Sequence, residues 1–353
     1  MGLSNKMKLF VFNILCVFLQ GCCPNPLSYW TLEPNVLVLE VNGTLGQQPI
    51  TCLEMTGNNS QDIFWRKNGI KELQKGNVYL VQLLESFGGG NYTCHSQDGS
   101  LLNHTEVLIQ HYLSNRRILL KNQQEDYLSC STQNYNGEFH CSWTWHSNRV
   151  GKAAFIKAER ISDDQYSNCS ADPNGHQWTC SSAQSNFSCH VDNSGSGVFC
   201  LDQQHCPYVE ERQQIRVTVF VKTNDFLLES YSKLFYLSEI VKPDKVKISK
   251  VNKTVIEWSY PSSWNTPYSY FPLTFQISQL RGRCRGCENP CADIKPSKAW
   301  TMYSTDIYQL KVKHRVKAVC VRAKDAFCNS EWSEWTHIRL RRGGKNSKQQ
   351  LLT

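Results

Sequence analysis

The chain has 353 residues, of which 40% are hydrophobic and 19% are charged, and its formal net charge is +8. This length has room for two or three domains of ordinary size. The 17 cysteines indicate an oxidising compartment, and such a compartment argues against nucleic acid as the partner of the positive charge.

The first predicted element is an export signal over residues 1–28. Lys6 and Lys8 precede an apolar run from Leu9 to Leu19, which has the length of a signal core and is too short to cross a bilayer. Cleavage is expected between residues 21 and 28, and its position within that window stays open. No later apolar run reaches the roughly 20 residues that a membrane helix needs. We therefore expect a secreted, extracellular protein without a membrane anchor.

Sequons for N-linked glycosylation are spread along the chain, in agreement with the secretory route. The candidate glycosylation sites are Asn42, Asn58, Asn91, Asn103, Asn186 and Asn252. A further sequon at Asn168 is weaker, because its middle residue, Cys169, is a candidate half-cystine.

Short runs with apolar residues at every second position dominate the rest of the chain, and no long stretch has the helical period. Residues 215–221 are one example, and Val319, Val321 and Ala323 alternate with Cys320 and Arg322 in another. Strands of this kind bury one face, and two sheets of them packed together form a sandwich core. We therefore predict an all-β protein of three tandem β-sandwiches.

The first sandwich, residues 29–110, has the immunoglobulin pattern. Cys52 and Cys94 predict the disulfide between the sheets, and Trp65 predicts the indole that packs on it. Tyr92, two residues before the second cysteine, fits a tyrosine corner. These residues hold a sandwich together and carry no chemistry.

Two fibronectin type III-like sandwiches are predicted next, over residues 111–238 and 239–340. The first of them contains a close cysteine pair and a Cys-x-Trp sequence: Cys130, Cys141 and Trp143. The second ends in a Trp-Ser-x-Trp motif followed by threonine: Trp332, Ser333, Trp335 and Thr336. Indoles at this spacing can interleave with cations of a neighbouring strand, each contact contributing about 0.5–2 kcal/mol. We predict that Arg322 is the best such cation and that the ladder stabilises the domain, with direct contact to a partner as the alternative.

The combination of Cys-x-Trp in one domain and Trp-Ser-x-Trp in the next resembles the class I cytokine-receptor family. Thr336 replaces the family's serine and keeps its hydroxyl. With an immunoglobulin domain ahead and no anchor, the chain is similar over almost its whole length to the receptor-like beta subunits of heterodimeric cytokines. The most specific stretches are residues 90–95, 134–137 and 258–275.

The resemblance implies a division of labour between two chains. In the family, a four-helix-bundle alpha subunit binds at the elbow between the second and third domains, and one disulfide links the chains. Cys206, followed by Pro207, matches the interchain cysteine, and Tyr135 matches an aromatic residue of the partner pocket. Asp293 is the nearest candidate for the acidic residue that receives an arginine of the alpha subunit. The heterodimer is expected to act on receptor chains of T and natural killer cells, and a homodimer is the alternative assembly.

The resemblance also bears on the other cysteines. Cys180 and Cys200 match the family's third pair, which leaves Cys169 and Cys189 for each other, although four cysteines permit three connectivities. In the third domain Gln276 stands where the family has a half-cystine. Five cysteines appear there instead: Cys284, Cys287, Cys291, Cys320 and Cys328. Five is an odd number, so one of them is free or intermolecular, and a zinc site is a minor alternative.

The last residues, 341–353, form a basic tail. A solvated tail is the simplest interpretation, and a patch for heparan sulfate is the alternative. No nucleophile motif, phosphate loop or His-Glu-x-x-His sequence stands out, so we expect no enzyme, no cofactor and no metal. Two other classes remain open: a soluble cytokine-receptor alpha chain that binds a helical cytokine noncovalently, and a cell-adhesion protein. The receptor would have no reason to keep a spare thiol such as Cys206.

Overall fold

The computed structural model describes residues 29–43, 46–54, 63–111, 117–161, 168–183, 185–208, 211–252, 254–265, 270–281, 290–291, 299–313 and 315–340. Strands dominate these residues, and the helices among them, α1 (Glu85–Gly88) and α2 (Leu237–Ile240), are single turns. The predicted all-β fold is therefore confirmed. The expected signal segment and basic tail lie outside the described residues, as do Asn58, Cys284, Cys287 and Asp293.

The chain forms two compact units. The first comprises Met1–Leu120, Trp145–Phe155 and Val219–Tyr231, and the second comprises Lys121–Thr144, Ile156–Thr218 and Ser232–Thr353. Some strands have residues in both units: β12 (Thr144–Trp145), β13 (Gly151–Arg160), β18 (Ile215–Thr223) and β19 (Leu228–Phe235).

The first unit is built on a six-stranded sheet in the order β1-β2-β8-β7-β4-β5 and a two-stranded sheet, β3-β6. The strands are β1 (Tyr29–Glu33), β2 (Val36–Val41), β3 (Gln47–Thr51), β4 (Phe64–Lys67), β5 (Ile70–Lys75), β6 (Val78–Gln82), β7 (Gly90–His95), β8 (Leu101–His111) and β9 (Leu119–Leu120). Strand β2 runs parallel to β8, and β8 is antiparallel to β7. Alternation along these strands directs one apolar face of each sheet into a common core.

The core of the first unit contains the residues that the sequence singled out. A disulfide joins Cys52 to Cys94, and Trp65 is 1% exposed in the same core. The Tyr92 hydroxyl donates a hydrogen bond to the Gly88 carbonyl at 2.8 Å, which is the contact of a tyrosine corner.

The second unit contains three sheets, in the orders β10-β11-β17-β16-β15-β14, β20-β21-β24 and β23-β22-β25-β26. Their strands are β10 (Ser129–Ser131), β11 (Glu138–Ser142), β14 (Asn168–Ala171), β15 (Gln177–Ser181), β16 (Asn186–Val191), β17 (Gly197–Asp202), β20 (Lys247–Lys250), β21 (Val255–Ser259), β22 (Leu273–Leu280), β23 (Ala299–Ser304), β24 (Gln309–Lys311), β25 (Ala318–Asp325) and β26 (Thr336–Arg339). Large aromatic side chains such as Trp178, Phe187 and Phe275 are almost fully buried within it.

The disulfides of the six-stranded sheet in the second unit correct one expectation. Cys130 is bonded to Cys141, but the expected pairs Cys180–Cys200 and Cys169–Cys189 are wrong. The structure joins Cys169 to Cys180 and Cys189 to Cys200, with Cα–Cα distances of 4.0 and 4.1 Å. Each cysteine faces its partner directly across two neighbouring antiparallel strands. Cys180 and Cys200 cannot pair in this order, because β16 lies between their strands.

The third predicted domain contributes one further disulfide and one free thiol to the described residues. Cys291 is bonded to Cys320, and Cys328 carries no disulfide. Burial raises the pKa of the Cys328 thiol, which keeps it protonated at neutral pH. Cys328 is therefore one cysteine of the odd set that remains reduced, and the bond to Cys320 removes Cys291 from any zinc site in this structure.

Candidate protein-binding site

Tyr135 is the centre of a cluster of aromatic and polar side chains in the second unit. It lies in the loop between β10 and β11 and is 6% exposed. Its ring stacks on Phe271 at 5.0 Å between centroids and meets the edge of Trp264 at 5.9 Å. Burial raises the pKa of Tyr135 far above its ordinary value, so the hydroxyl stays a hydrogen-bond donor.

The Tyr135 hydroxyl connects this loop to the end of β25. It donates to Asp325 Oδ2 at 3.3 Å and lies 3.5 Å from Cys328 Sγ. Asp325 is 1% exposed, and its Oδ1 accepts hydrogen bonds from the backbone N–H groups of Phe327 and Cys328 at 2.7 and 2.9 Å. No ion pair to Asp325 exists among the residues that the structure describes. The Asp325 carboxylate is thus held by hydrogen bonds from Tyr135 and from backbone N–H groups.

The loop that carries Tyr135 is fixed on both sides by polar contacts. Asn134 Nδ2 donates to the Ser263 carbonyl at 2.8 Å, and its Oδ1 accepts from the Asn136 N–H at 2.9 Å. Gly137 has a φ of 85°, and a Cβ there would come within 2.8 Å of the Cβ of His205. Only glycine fits this conformation and this close approach.

Cys206 lies on an adjoining segment and is exposed and free of any disulfide. Pro207 is half-buried, and Tyr208 contacts Tyr270 at 5.2 Å between centroids. The Tyr270 hydroxyl donates to the Tyr208 carbonyl at 3.2 Å. Tyr208 and Tyr270 are 50% and 52% exposed. We call the set of Tyr135, Tyr208, Tyr270, Phe271 and Asp325 the elbow cluster.

The elbow cluster has the features of a protein-binding surface. Two half-exposed tyrosines supply rigid apolar area with a polar tip, which is the common composition of energetic centres in interfaces. Phe327, which is 75% exposed, follows Asp325 closely in the chain and adds further apolar surface. A free thiol on the adjoining segment can add a covalent bond.

Of the elbow cluster, the sequence interpretation named only Tyr135 as a binding residue, and Asp325 is the most informative of the residues that it missed. Asp293, the candidate named from the resemblance, lies outside the described residues. Asp325 could have been identified from the alternation of residues along β25, in which Val321 and Ala323 point inward and are fully buried. The same period places Asp325 on the inward face, where a carboxylate is unusual and therefore informative.

The Trp motif forms a ladder on another part of the second unit. Arg322 Cζ lies 4.8 Å from the ring centroid of Trp332 and 4.5 Å from that of Trp335, so its guanidinium stands between the two indoles. Lys324 Nζ lies 5.4 Å from the Trp332 centroid and adds a weaker rung. This geometry has the spacing of cation–π contacts, and it stabilises the strand end.

The hydroxyl residues of the motif attach its backbone to β25. The Ser333 N–H donates to the Ala323 carbonyl at 2.7 Å, and Ser333 Oγ accepts from the Ala323 N–H at 2.9 Å. Thr336 begins β26 opposite Val321. The two hydrogen bonds of Ser333 therefore take the place of regular strand pairing between β25 and the segment that carries the indoles.

The candidate glycosylation sites differ in exposure. Asn42, Asn91 and Asn252 are exposed, whereas Asn186 and Asn103 are half-buried. Asn103 Nδ2 donates to the Cys52 carbonyl at 2.7 Å, and Asn186 Nδ2 donates to Gln203 Oε1 at 2.9 Å. The three exposed asparagines are therefore the most accessible of the described set.

Comparison with known proteins gives concordant matches. The family model described as cytokine interleukin-12p40 C-terminus matches residues 125–223. Interleukin-12 subunit beta of Sigmodon hispidus is 28% identical over 331 residues, which cover 88% of this chain and 93% of the relative. The same subunit of Felis catus is 27% identical over 330 residues, covering 89% and 94%. That of Mesocricetus auratus is 27% identical over 328 residues, covering 88% and 93%.

The all-β fold, the Trp ladder and these matches define a cytokine subunit of receptor-like build. Within that class, the chain is similar over almost its whole length to interleukin-12 subunit beta, and the family model matches its middle part. The described residues contain no helix that is long and apolar enough to cross a membrane.

Proposed function

We propose that the chain is a secreted subunit that pairs, through a disulfide bond, with a four-helix-bundle alpha subunit. The heterodimer is then presented to cell-surface receptor chains on T and natural killer cells. The observation that carries the proposal is the exposed, unpaired Cys206 on the segment that adjoins the elbow cluster. The relatives are named as subunits, which supports a second chain.

The elbow cluster supplies the noncovalent part of the proposed contact. Tyr208 and Tyr270 would pack against apolar side chains of a helix, because they are already half-exposed and hold each other in place. Asp325 would receive an arginine or lysine of the alpha subunit, since its carboxylate lacks a cation among the described residues. Removal of one partner from such a pair leaves a buried charge and costs several kcal/mol, on the order of 3–5.

The covalent link follows ordinary thiol–disulfide chemistry. Cys206, as the thiolate, attacks the partner cysteine while that cysteine is held in a mixed disulfide with a small thiol such as glutathione. The new S–S bond joins the two chains, and the small thiol leaves as a thiolate that takes up the proton lost by Cys206. The number of disulfides is unchanged, so no further oxidant is needed at this step.

The same proposal divides the chain at the boundaries expected from the sequence. The immunoglobulin-like domain would span residues 29–110, and the fibronectin type III-like domains would span 111–238 and 239–340. The Cys52–Cys94 disulfide and the tyrosine corner of Tyr92 support the first assignment. We propose no enzymatic activity for any of the three.

The test is co-expression of this chain with four-helix-bundle alpha subunits of the same species, followed by non-reducing electrophoresis. The wild-type chain should give a covalent heterodimer, and Cys206→Ser should abolish the covalent band while a noncovalent complex remains. Cys328→Ser is the matched control, because it removes the other free thiol of the described residues, and it should leave the covalent band intact. A covalent heterodimer that survives Cys206→Ser would overturn the assignment.

A soluble receptor alpha chain that captures a cytokine reversibly is the second candidate function. In that case the wild-type chain would give a complex on native gels and no covalent band at all. The exposed thiol of Cys206 favours the first candidate.

A further inference from the structure

The segment that carries Cys206 is attached to β13 and β17 by a network of three ionisable side chains. Arg160 Nε donates to Asp202 Oδ2 at 2.9 Å, and the Asp202 side chain is fully buried. A second guanidinium nitrogen of Arg160 lies 3.0 Å from His205 Nδ1. A guanidinium can only donate, so His205 Nδ1 is the acceptor, and the ring is neutral with its proton on Nε2.

Asp202 also organises the backbone that leads to the thiol. Its Oδ1 accepts from the Gln204 N–H at 3.0 Å, and its carbonyl accepts from the His205 N–H at 3.2 Å. The Asp202 N–H donates to the Gly137 carbonyl at 3.0 Å, which joins this turn to the loop of Tyr135. The two segments that present the thiol and the tyrosine therefore share one set of contacts.

The other side of Cys206 is attached as well. Tyr208, two residues further, packs on Tyr270 and lies 5.8 Å from Phe271 between ring centroids. The exposed thiol thus lies between two anchored neighbours, His205 on one side and Tyr208 on the other. A surface loop with no other role would not need these contacts on both sides of the cysteine.

We propose that Arg160 and His205 are positioning residues that hold the Cys206 thiol in one orientation beside the elbow cluster before a partner arrives. The inference rests on the proposed role of Cys206 as the interchain thiol. A thiol held in place meets a docked cysteine in a reactive geometry, whereas a thiol on a loose segment samples many orientations and reacts more slowly. The contacts of Arg160 and His205 are with each other and with Asp202 rather than with the Cys206 sulfur, so the proposed effect on the thiol passes through the backbone of the segment.

Histidine makes the network sensitive to pH. Burial lowers the pKa of His205, and the charge of Arg160 lowers it further, whereas Asp202, Glu211 and the Tyr135 backbone favour the protonated ring. At neutral pH the ring is therefore uncharged and accepts from Arg160. Protonation in acid removes this acceptor and places a second positive charge beside the guanidinium. Because the pKa of His205 is lowered, the segment should hold the thiol at neutral pH and release it only below the pH at which an ordinary histidine is protonated.

A nitroxide spin label on Cys206 tests the positioning directly, in a chain that carries Cys328→Ser so that this second free thiol is not labelled. Peptide mass spectrometry verifies the labelled site. The parent should give the broad spectrum of an immobilised label. His205→Ala should give a narrow, mobile spectrum with an unchanged melting temperature, because the Arg160–Asp202 pair remains. His205→Gln should restore the broad spectrum, because the amide oxygen can accept from Arg160.

Arg160→Lys provides a second variant that keeps a charge for the buried Asp202 but loses the forked contact to His205. It should mobilise the label as His205→Ala does. Acidification to a pH well below the ordinary pKa of histidine should mobilise the label in the parent and leave His205→Gln immobilised. Identical spectra for the parent and His205→Ala would overturn the inference.

Co-expression separates this inference from the proposed function. With an alpha subunit present, His205→Ala should slow covalent coupling about tenfold and leave the noncovalent complex unchanged. If the label responds to the variants but no alpha subunit joins Cys206, the proposed function fails and the positioning stands. If the alpha subunit joins at the parent's rate in every variant, the positioning role is wrong.

Discussion

Gln276 accepts a hydrogen bond from Arg322, with 2.6 Å between Gln276 Oε1 and Arg322 Nε. The two residues lie opposite each other on β22 and β25. Gln276 Nε2 in turn donates to the Tyr303 hydroxyl at 3.0 Å, and the Tyr303 ring contacts Trp332 at 6.0 Å between centroids. Where the receptor family has a half-cystine, this chain has an amide that orients the guanidinium between two indoles.

Replacement of Arg322 should destabilise the second unit. Arg322→Ala removes the contacts to Trp332 and Trp335 and the hydrogen bond to Gln276, so the free energy of unfolding should fall by about 2–3 kcal/mol. Urea unfolding followed by tryptophan fluorescence measures this change. Lys324→Ala is the matched control on the same strand and should cost less than about 1 kcal/mol, because it removes a single, longer contact. Equal losses for the two variants would contradict the ladder.

Gln276 and Arg322 should be energetically coupled. Gln276→Ala, Arg322→Ala and the double variant form a double-mutant cycle, and its coupling energy should be about 1 kcal/mol in favour of the pair. The cycle is measured by the same urea unfolding. A coupling energy near zero would mean that the amide does not orient the guanidinium.

Tyrosine ionisation should make the first unit less stable in strong base. The Tyr79 hydroxyl donates to Glu72 Oε2 at 3.1 Å, and burial, followed by the charge of Glu72, raises the pKa of Tyr79 to about 12. An acid whose pKa is raised on folding stabilises the fold below its unfolded pKa of about 10 and loses this contribution as pH rises through about 12. Ultraviolet absorbance of tyrosinate in the folded protein should show a late step. Tyr79→Phe should remove that step, and a Tyr79 that titrates near pH 10 would contradict the prediction.

Disulfide mapping should find Cys169 joined to Cys180 and Cys189 joined to Cys200. Proteolysis without reduction, followed by mass spectrometry, identifies the linked peptides. Cys169→Ser should free the thiol of Cys180 and leave the Cys189–Cys200 peptide intact, because the two bonds lie in separate strand pairs. A linked peptide that contains Cys180 and Cys200 would show that the strand pairing is different.

The hydroxyl and the ring of Tyr135 should contribute differently to stability. Tyr135→Phe keeps the stacking on Phe271 and removes the donor to Asp325, so it should cost about 1 kcal/mol. Tyr135→Ala also removes the buried ring and should cost about 3–5 kcal/mol. Chemical unfolding measures both. Equal costs for the two variants would mean that the ring packing contributes little.

The sequence predicted the Cys52–Cys94 and Cys130–Cys141 disulfides correctly, whereas the pairing expected for the other four cysteines of the six-stranded sheet in the second unit was wrong, for a physical reason. In an immunoglobulin-type sandwich, the order cysteine, tryptophan, cysteine along the chain identifies the two half-cystines. Cys52, Trp65 and Cys94 have this order. In the six-stranded sheet of the second unit, the partner of each cysteine depends on which strands are neighbours. Residue types alone do not define the order of the strands in the sheet. One regularity was available, because Cys130–Cys141, Cys169–Cys180 and Cys189–Cys200 all have a sequence separation of 11.

The candidate binding site, too, could be predicted only in part from the sequence. The resemblance named Tyr135 and Cys206 as candidate binding residues, whereas it did not indicate the Arg160–Asp202–His205 network. Its members lie on β13, on β17 and after β17, and no sequence period connects them. Contacts that join distant segments depend on the folded chain, which is why the positioning of the thiol became visible only in the structure.

The three disulfides of separation 11 have a consequence for how the chain matures. Each one closes a single strand pair, so its two cysteines leave the ribosome only 11 residues apart. These bonds can form in order of synthesis while later parts of the chain are still being made. The Cys52–Cys94 and Cys291–Cys320 bonds, with separations of 42 and 29, must wait longer for their second half. Oxidation of the six-stranded sheet in the second unit can thus proceed from the N-terminal cysteine pair to the C-terminal one as the chain is made, with little opportunity for exchange between strand pairs.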